Sequence, residues 1–118
     1  MQRDPRAYLW DAKGAAEDIL AFVRDRTFDD YATDRMLRSA VERQFEIIGE
    51  ALNQLSKLNP SLADRVPDLP QIVAFRNLLI HGYASVDHGR VWRTVQETLP
   101  DLMKAVSDML GELDAHGS

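Results

Sequence analysis

Apolar residues recur at helical spacing along almost the whole chain, and no segment alternates apolar and polar residues for long enough to predict a strand. The first predicted helix begins at Asp4 and Pro5, because aspartate is a preferred N-cap and proline suits the first helical position. Gly14 either weakens this helix slightly or marks the close approach of another helix. The apolar stripe of the helix consists of Tyr8, Leu9, Ala12, Ala15, Ala16, Ile19, Leu20 and Val23.

A long second helix is predicted from Thr33 or Asp34 to about Leu58, after a connector over residues 27–33 that has room for one helical turn. Its core positions step by three or four residues. They are Leu37, Val41, Phe45, Ile48, Leu52 and Leu55. Gly49 lies within this helix and costs about 1 kcal/mol relative to alanine, a loss that close packing of another helix would offset.

The remaining elements are shorter. Residues 59–70 contain three prolines and are predicted to form a loop with a possible helical turn over 61–65, because proline disfavours helical geometry in the residue before it. A third helix begins near Leu69 or Pro70 and ends at Gly82, since glycine readily adopts the left-handed conformation at a helix end. Asp87 caps a fourth helix, and Pro100 either kinks that helix or starts a fifth.

These elements predict an all-α protein, an antiparallel bundle of four to five helices in one domain over residues 1–118, with residues 115–118 as a frayed tail. The apolar fraction of 45% is that of a folded globule. The chain has no cysteine and only three unevenly spaced histidines, so neither a disulfide nor a metal site is expected. It has no apolar run of transmembrane length and no signal-peptide pattern, so we expect a cytoplasmic protein.

The net charge of −5 argues against non-specific nucleic-acid binding, which depends on many phosphate contacts, but it leaves room for a small cationic site. Residues 76–83 contain the groups for such a site. Arg76 supplies a permanent cation that would stabilise charge on phosphorus oxygens. His81 supplies an acid for a leaving 5′ oxygen or a base for a 2′-hydroxyl, and Tyr83 supplies a phenol. Together they are the groups that phosphodiester cleavage needs.

Helix geometry places Arg76 and His81 about 140° apart around the helix axis, so the two side chains cannot converge on one straight helix. Either the arginine reaches round, or the helix unwinds near Gly82, or a second copy of the chain supplies the missing group. The residues alone also allow a structural interpretation. In that case His81 is a helix cap, Tyr83 is a core or interface residue, and Arg76 is held in an ion pair.

Three acids on the second helix are candidate partners for Arg76, namely Glu42, Glu46 and Glu50. Glu50 lies next to Gly49, and we expect it either to orient Arg76 or His81 as a supporting residue or to be an exposed acid.

Arg76, Asn77, His81 and Tyr83 fit the R-N-x3-H-x-Y pattern of the HepT-like toxins, which belong to the HEPN superfamily of helical ribonucleases. Residues 42–51, with the sequence ERQFEIIGEA, resemble the second-helix motif of the same family. The position of Pro70 before Arg76 and the Val86-Asp87 pair after Tyr83 also resemble the sequence pattern of this family. The resemblance extends from about Tyr8 to Leu113.

The resemblance implies a homodimer in which two such segments meet in a composite RNA-cleaving site that needs neither metal nor cofactor. Arg76 and His81 would be catalytic, and Asn77 would support them. The usual partner is a nucleotidyltransferase antitoxin, which in such pairs transfers AMP to the motif tyrosine, here Tyr83, and blocks the site. The alternative function is a non-catalytic helical interaction module that binds, or is modified by, a nucleotidyltransferase.

Overall fold

A computed structural model describes residues 3–82 and 86–117, and within these ranges it contains helices and no strand. The predicted all-α fold is confirmed. The helices are α1 (Pro5–Phe22), α2 (Phe28–Thr33), α3 (Arg35–Leu58), α4 (Pro60–Ala63), α5 (Leu69–His81), α6 (His88–Arg93) and α7 (Leu99–Gly117). A π-helical turn, Thr94–Thr98, joins α6 to α7. The long α3 is central, with α1 and α5 packed against it and α7 packed against α1.

The predicted helix starts are confirmed by their capping hydrogen bonds. The carboxylates of Asp4, Asp34 and Asp87 each accept a hydrogen bond from a backbone N–H two or three residues ahead, at 2.9, 3.1 and 2.8 Å. These bonds satisfy N–H groups that have no partner within the helix. Asp34 rather than Thr33 therefore begins the long helix, and the three caps fix where α1, α3 and α6 enter the bundle.

The apolar stripes predicted for the two long helices form the core. On α3 all six predicted positions are buried, and on α1 the alanine and isoleucine positions are buried together with Leu9. The ring of Phe45 on α3 meets the ring of Phe75 on α5 edge-on, with ring centroids 5.2 Å apart. This aromatic contact sets the position of α5 against α3 one residue before Arg76.

The connector before α3 is more structured than the sequence indicates. Thr27 and Asp30 exchange side-chain and backbone hydrogen bonds in a capping box that opens α2. Tyr31 on α2 is fully buried, and its ring centroid lies 5.6 Å from that of Trp92 on α6. Burial raises the pKa of the Tyr31 phenol. The sequence pattern did not place Tyr31 in the core, because a six-residue helix is too short to show a stripe.

The predicted end of α5 at Gly82 is confirmed, but the left-handed conformation expected of that glycine is wrong. Gly82 follows α5 with φ of −122°, so it is not left-handed; its N–H donates to the Leu78 carbonyl at 2.7 Å and closes the last turn instead. At the other end of the chain, α7 continues to Gly117, past Ala115 where fraying was expected. The half-buried Leu113 still packs against the core there, and no proline interrupts the turn that follows it.

Helix α5 crosses α3 at Gly49. This close packing is the contact that was expected to compensate for the low helix propensity of glycine. A Cβ atom built on Gly49 would overlap the Cβ of Arg76, and it would lie 2.7 Å from the Arg76 Cγ and 3.5 Å from the carbonyl oxygen of Ile72. The missing side chain therefore makes room for the aliphatic stem of Arg76. Gly14 differs, since a Cβ there would meet nothing within 4 Å. It marks no close helix approach.

We expect Gly49→Ala to lower the free energy of unfolding by up to about 2 kcal/mol, because overpacking costs ~1–3 kcal/mol and better helix propensity returns only about 1 kcal/mol. Gly14→Ala is the matched control and should raise the stability by up to ~1 kcal/mol. Urea unfolding followed by circular dichroism measures both changes. Equal stabilisation by the two alanines would show that α5 does not approach α3 this closely.

Candidate active site

Arg76 lies where α5 crosses α3. Its neighbours Ile72, Phe75 and Leu79 are buried in the core, and Arg76 follows Phe75 on the edge of α5 that faces α3. Because Gly49 has no side chain, the arginine stem packs directly on the backbone of α3. The side chain is 24% exposed, so the guanidinium reaches the surface instead of being buried. Packing therefore fixes the aliphatic stem of Arg76, while its guanidinium remains accessible.

Glu50 is the acid that pairs with Arg76. The Nη2 of Arg76 donates to the Glu50 Oε2 at 2.8 Å, and its Nη1 donates to the Asn77 Oδ1 at 2.8 Å. Two contacts from different sides hold the guanidinium plane. A guanidinium has five N–H donors, so each Nη retains one hydrogen beyond these two bonds for a further acceptor. The supporting positions predicted for Asn77 and Glu50 thus lie in direct contact with Arg76.

The other two candidate acids have different surroundings. Glu46 lies 3.4 Å from the Nη1 of Arg43 on its own helix. Glu42 is half-buried, and burial raises the pKa of its carboxyl, with the charges of His88 and Arg38 acting in the opposite direction. Neither acid is paired with Arg76, so the predicted set of three partners reduces to Glu50.

Glu50 has a second contact that the sequence reading missed. The Nε2 of Gln54, one turn further along α3, donates to the Glu50 Oε1 at 3.0 Å. A continuous chain of hydrogen bonds therefore joins Gln54, Glu50, Arg76 and Asn77 across the two helices. The spacing of four residues between Glu50 and Gln54 is a detectable sequence signal, because such residues are neighbours on a helix surface.

Two grooves flank this chain of hydrogen bonds. One, of about 380 Å³, lies between α1, α3 and α5 and contains Arg76, Glu50, Gln54 and Tyr8. The other, of about 740 Å³, lies between α3, α4 and α5 and contains Asn77. Arginines in the smaller groove have acidic neighbours, as in the pair of Arg3 with Asp11 at 2.7 Å. A ligand phosphate would therefore meet a locally balanced surface with Arg76 as its fixed cation.

His81 is the last residue of α5 and is exposed. Within residues 3–82 and 86–117, its imidazole has no hydrogen bond or ion pair and does not contact Arg76. The helix remains intact through His81, and the arginine reaches Glu50 rather than turning towards the histidine. One chain thus does not bring the two predicted catalytic groups together. Tyr83, the predicted modification site, lies outside the described residues.

Two general features accompany the site. None of the helices in the described part of the chain has the length and apolar character needed to cross a membrane. Among the same residues, no three histidine, aspartate or glutamate side chains are grouped so that they could hold a metal ion.

Comparison with known proteins assigns the family. The profile of the family described as "Ribonuclease HepT-like" matches residues 12–109. "Putative RNase MJ1380" of Methanocaldococcus jannaschii is 35% identical over 107 residues, covering 89% of this chain and 95% of the relative. "Probable ribonuclease HepT" of Thermococcus cleftensis is 37% identical over 106 residues, covering 86% of this chain and 92% of the relative. No solved structure is a significant match. The chain belongs to the HepT-like ribonuclease family.

Proposed function

We propose that this ribonuclease is the toxin of a toxin–antitoxin pair and that it cleaves RNA without a metal ion, at a composite site built by two copies of the chain. The observation that carries the proposal is the fixed, accessible guanidinium of Arg76 on the same helix as His81, whose imidazole has no hydrogen bond or ion pair with any described residue and does not reach Arg76. Family membership supports RNA as the substrate. The toxin role and the pairing of chains are inferences from the resemblance and the geometry.

Three routes could bring Arg76 and His81 to one phosphate, and two of them conflict with the described residues. Helix α5 does not unwind before Gly82, and Arg76 extends towards Glu50. The remaining route is a second copy, whose His81 would approach the Arg76 of the first. Twofold symmetry would then build two equivalent sites.

The surface of α5 supports this pairing. The helix buries Ile72 and Phe75 on one side, and Val73 and Leu78 on its flanks are half-buried and pack against the same core. Its exposed side carries Ile80, which is 37% exposed and lines the groove that contains Arg76, together with His81. A second copy on this side would bury Ile80 and place its own His81 near that groove.

The proposed reaction uses the two groups in separate roles. His81 as a base accepts the proton of the ribose 2′-hydroxyl, and the 2′ oxygen attacks the adjacent phosphorus. The bond from phosphorus to the 5′ oxygen breaks, and the imidazolium of His81 formed in the first step returns its proton to that leaving oxygen. The unused N–H groups of Arg76 stabilise the charge that develops on the non-bridging oxygens. The products are a 2′,3′-cyclic phosphate and a 5′-hydroxyl, so DNA, which has no 2′-hydroxyl, is not a substrate.

We expect Arg76→Ala and His81→Ala each to lower the rate of RNA cleavage by at least about 100-fold, since general acid–base and electrostatic contributions have this size. EDTA should leave the wild-type rate unchanged. Arg43→Ala removes an exposed arginine that lines the same groove, and as the control it should change the rate far less than Arg76→Ala. The loss must occur in folded protein. Because Glu50 is 48% exposed and stays solvated without its partner, loss of the ion pair itself should cost about 1 kcal/mol or less, and loss of the Arg76 stem that packs on Gly49 adds a further packing cost.

Mixing the two inactive variants tests the composite site directly. After subunit exchange, half of the dimers are mixed, and each mixed dimer has one complete site out of two, so about a quarter of the wild-type activity should return. No recovery from demonstrably mixed dimers would contradict a site shared between chains. Wild-type protein that cleaves no RNA would instead favour the interaction-module alternative.

We further propose that a nucleotidyltransferase antitoxin silences the enzyme by transferring AMP to Tyr83. The transferred phosphate would compete with RNA for Arg76. Tyr83→Phe should leave RNA cleavage within about twofold of wild type and remove protection by enzymatic modification. Mass spectrometry of the chain produced with its genomic neighbour should show a gain of AMP units on Tyr83. Full protection of the phenylalanine variant would mean that the antitoxin acts by binding alone.

A further inference from the structure

We propose that Gln54 is a positioning residue of this ribonuclease, which holds the Glu50 carboxylate and thereby fixes the Arg76 guanidinium for the phosphate. The inference rests on the proposed function of Arg76 and extends it to a residue that acts through Glu50.

The Glu50 carboxylate accepts hydrogen bonds from two different side chains. Its Oε1 accepts from the Gln54 Nε2 at 3.0 Å, and its Oε2 accepts from the Arg76 Nη2 at 2.8 Å. Both carboxylate oxygens are therefore engaged, one from α3 and one from α5. With Asn77 bound to the Nη1 of Arg76, the guanidinium is connected to side chains on both helices.

The exposure of the Arg76–Glu50 ion pair explains why an additional contact to Glu50 is needed. Glu50 is 48% exposed, and Arg76 is 24% exposed. Water competes for an ion pair of this kind, and two long side chains give up considerable freedom to keep one geometry, so the pair alone orients the guanidinium weakly. A contact that restricts the rotamers of Glu50 also restricts those of Arg76. Catalysis on a phosphate depends on such orientation, because small misplacements lower the rate steeply.

The chemistry of an amide suits this position. Gln54 donates one hydrogen bond without adding charge, so it holds the Glu50 carboxylate without competing with Arg76 for its negative charge. A lysine four residues after Glu50 would form an ion pair with it and weaken the contact to Arg76.

The test compares Gln54→Met, which nearly keeps the shape and removes the donor, with Gln44→Met on the same helix. Gln44 is also half-buried, and its side chain makes no hydrogen bond within the described part of the chain. In steady-state RNA cleavage, Gln54→Met should lower kcat about tenfold, the effect of losing one hydrogen bond to a charged group, with KM changed less than about twofold. Gln44→Met should leave both constants unchanged.

A double-mutant cycle shows whether Gln54 acts through Glu50. In a Glu50→Ala background, Gln54→Met should cause no further loss of kcat, because the contact it removes is already absent. An equal loss in both backgrounds would overturn the proposal, as would a wild-type kcat for Gln54→Met. Thermal melting of each variant checks that the fold is retained.

A second readout separates this proposal from the proposed function. The Nε–H of Arg76 is buried and has no acceptor among the described residues, so it reports on how firmly the guanidinium is seated. In ¹⁵N-labelled protein, exchange of this proton with water should be several times faster in Gln54→Met than in wild type or Gln44→Met. If the wild type cleaves no RNA, the proposed function fails, while this exchange rate still decides the role of Gln54. Unchanged exchange would overturn the positioning role.

Discussion

The close contact between α3 and α5 at Gly49 is the constraint on which the site depends. A glycine in the middle of a long helix is unfavourable by itself, but here its missing side chain lets the stem of Arg76 lie on the backbone of α3. The Phe45–Phe75 contact holds the two helices together beside it. The position of the Arg76 guanidinium is thus determined by core packing, and its orientation is determined by the polar contacts of Glu50 and Asn77.

This division between packing and polar contacts reconciles the acidic chain with an RNA substrate. The net charge of −5 does not allow a broad cationic surface, and arginines near the site have acidic partners. Arg76 is different because its contacts with Glu50 and Asn77 leave some of its own N–H groups unused, and its side chain lines an open groove. Recognition would then depend on one well-oriented cation, with little contribution from the overall charge of the chain.

Most of the fold was predictable because its signals are local. Capping aspartates, prolines and apolar stripes act within one or two helical turns, and they gave the starts of α1, α3 and α6 correctly. The family pattern likewise identified Arg76, Asn77 and His81 from one short segment. The roles of these residues in catalysis, and that of Tyr83 in modification, remain predictions.

Features that depend on helix packing could not be read from the sequence. Glu42, Glu46 and Glu50 are each four residues apart and differ by only about 40° per step around the helix, so the place where α5 crosses, and not the spacing, selects Glu50. The π-helical turn was missed for a related reason. Val91, Val95 and Leu99 are spaced by four and are all buried, a run that suits a locally wider helix just before Pro100. Gly14 and Gly49 look alike in the sequence, and only tertiary contacts distinguish them.

The separation of Arg76 and His81 on α5 has a consequence for how the enzyme would respond to its own abundance. With each proposed site divided between two chains, the number of working sites at low concentration rises with the square of the number of chains. A few newly made molecules would therefore be harmless, whereas a modest surplus would become active abruptly. If the chain acts as the proposed toxin, the dissociation constant of the proposed dimer would set the dose at which growth is affected.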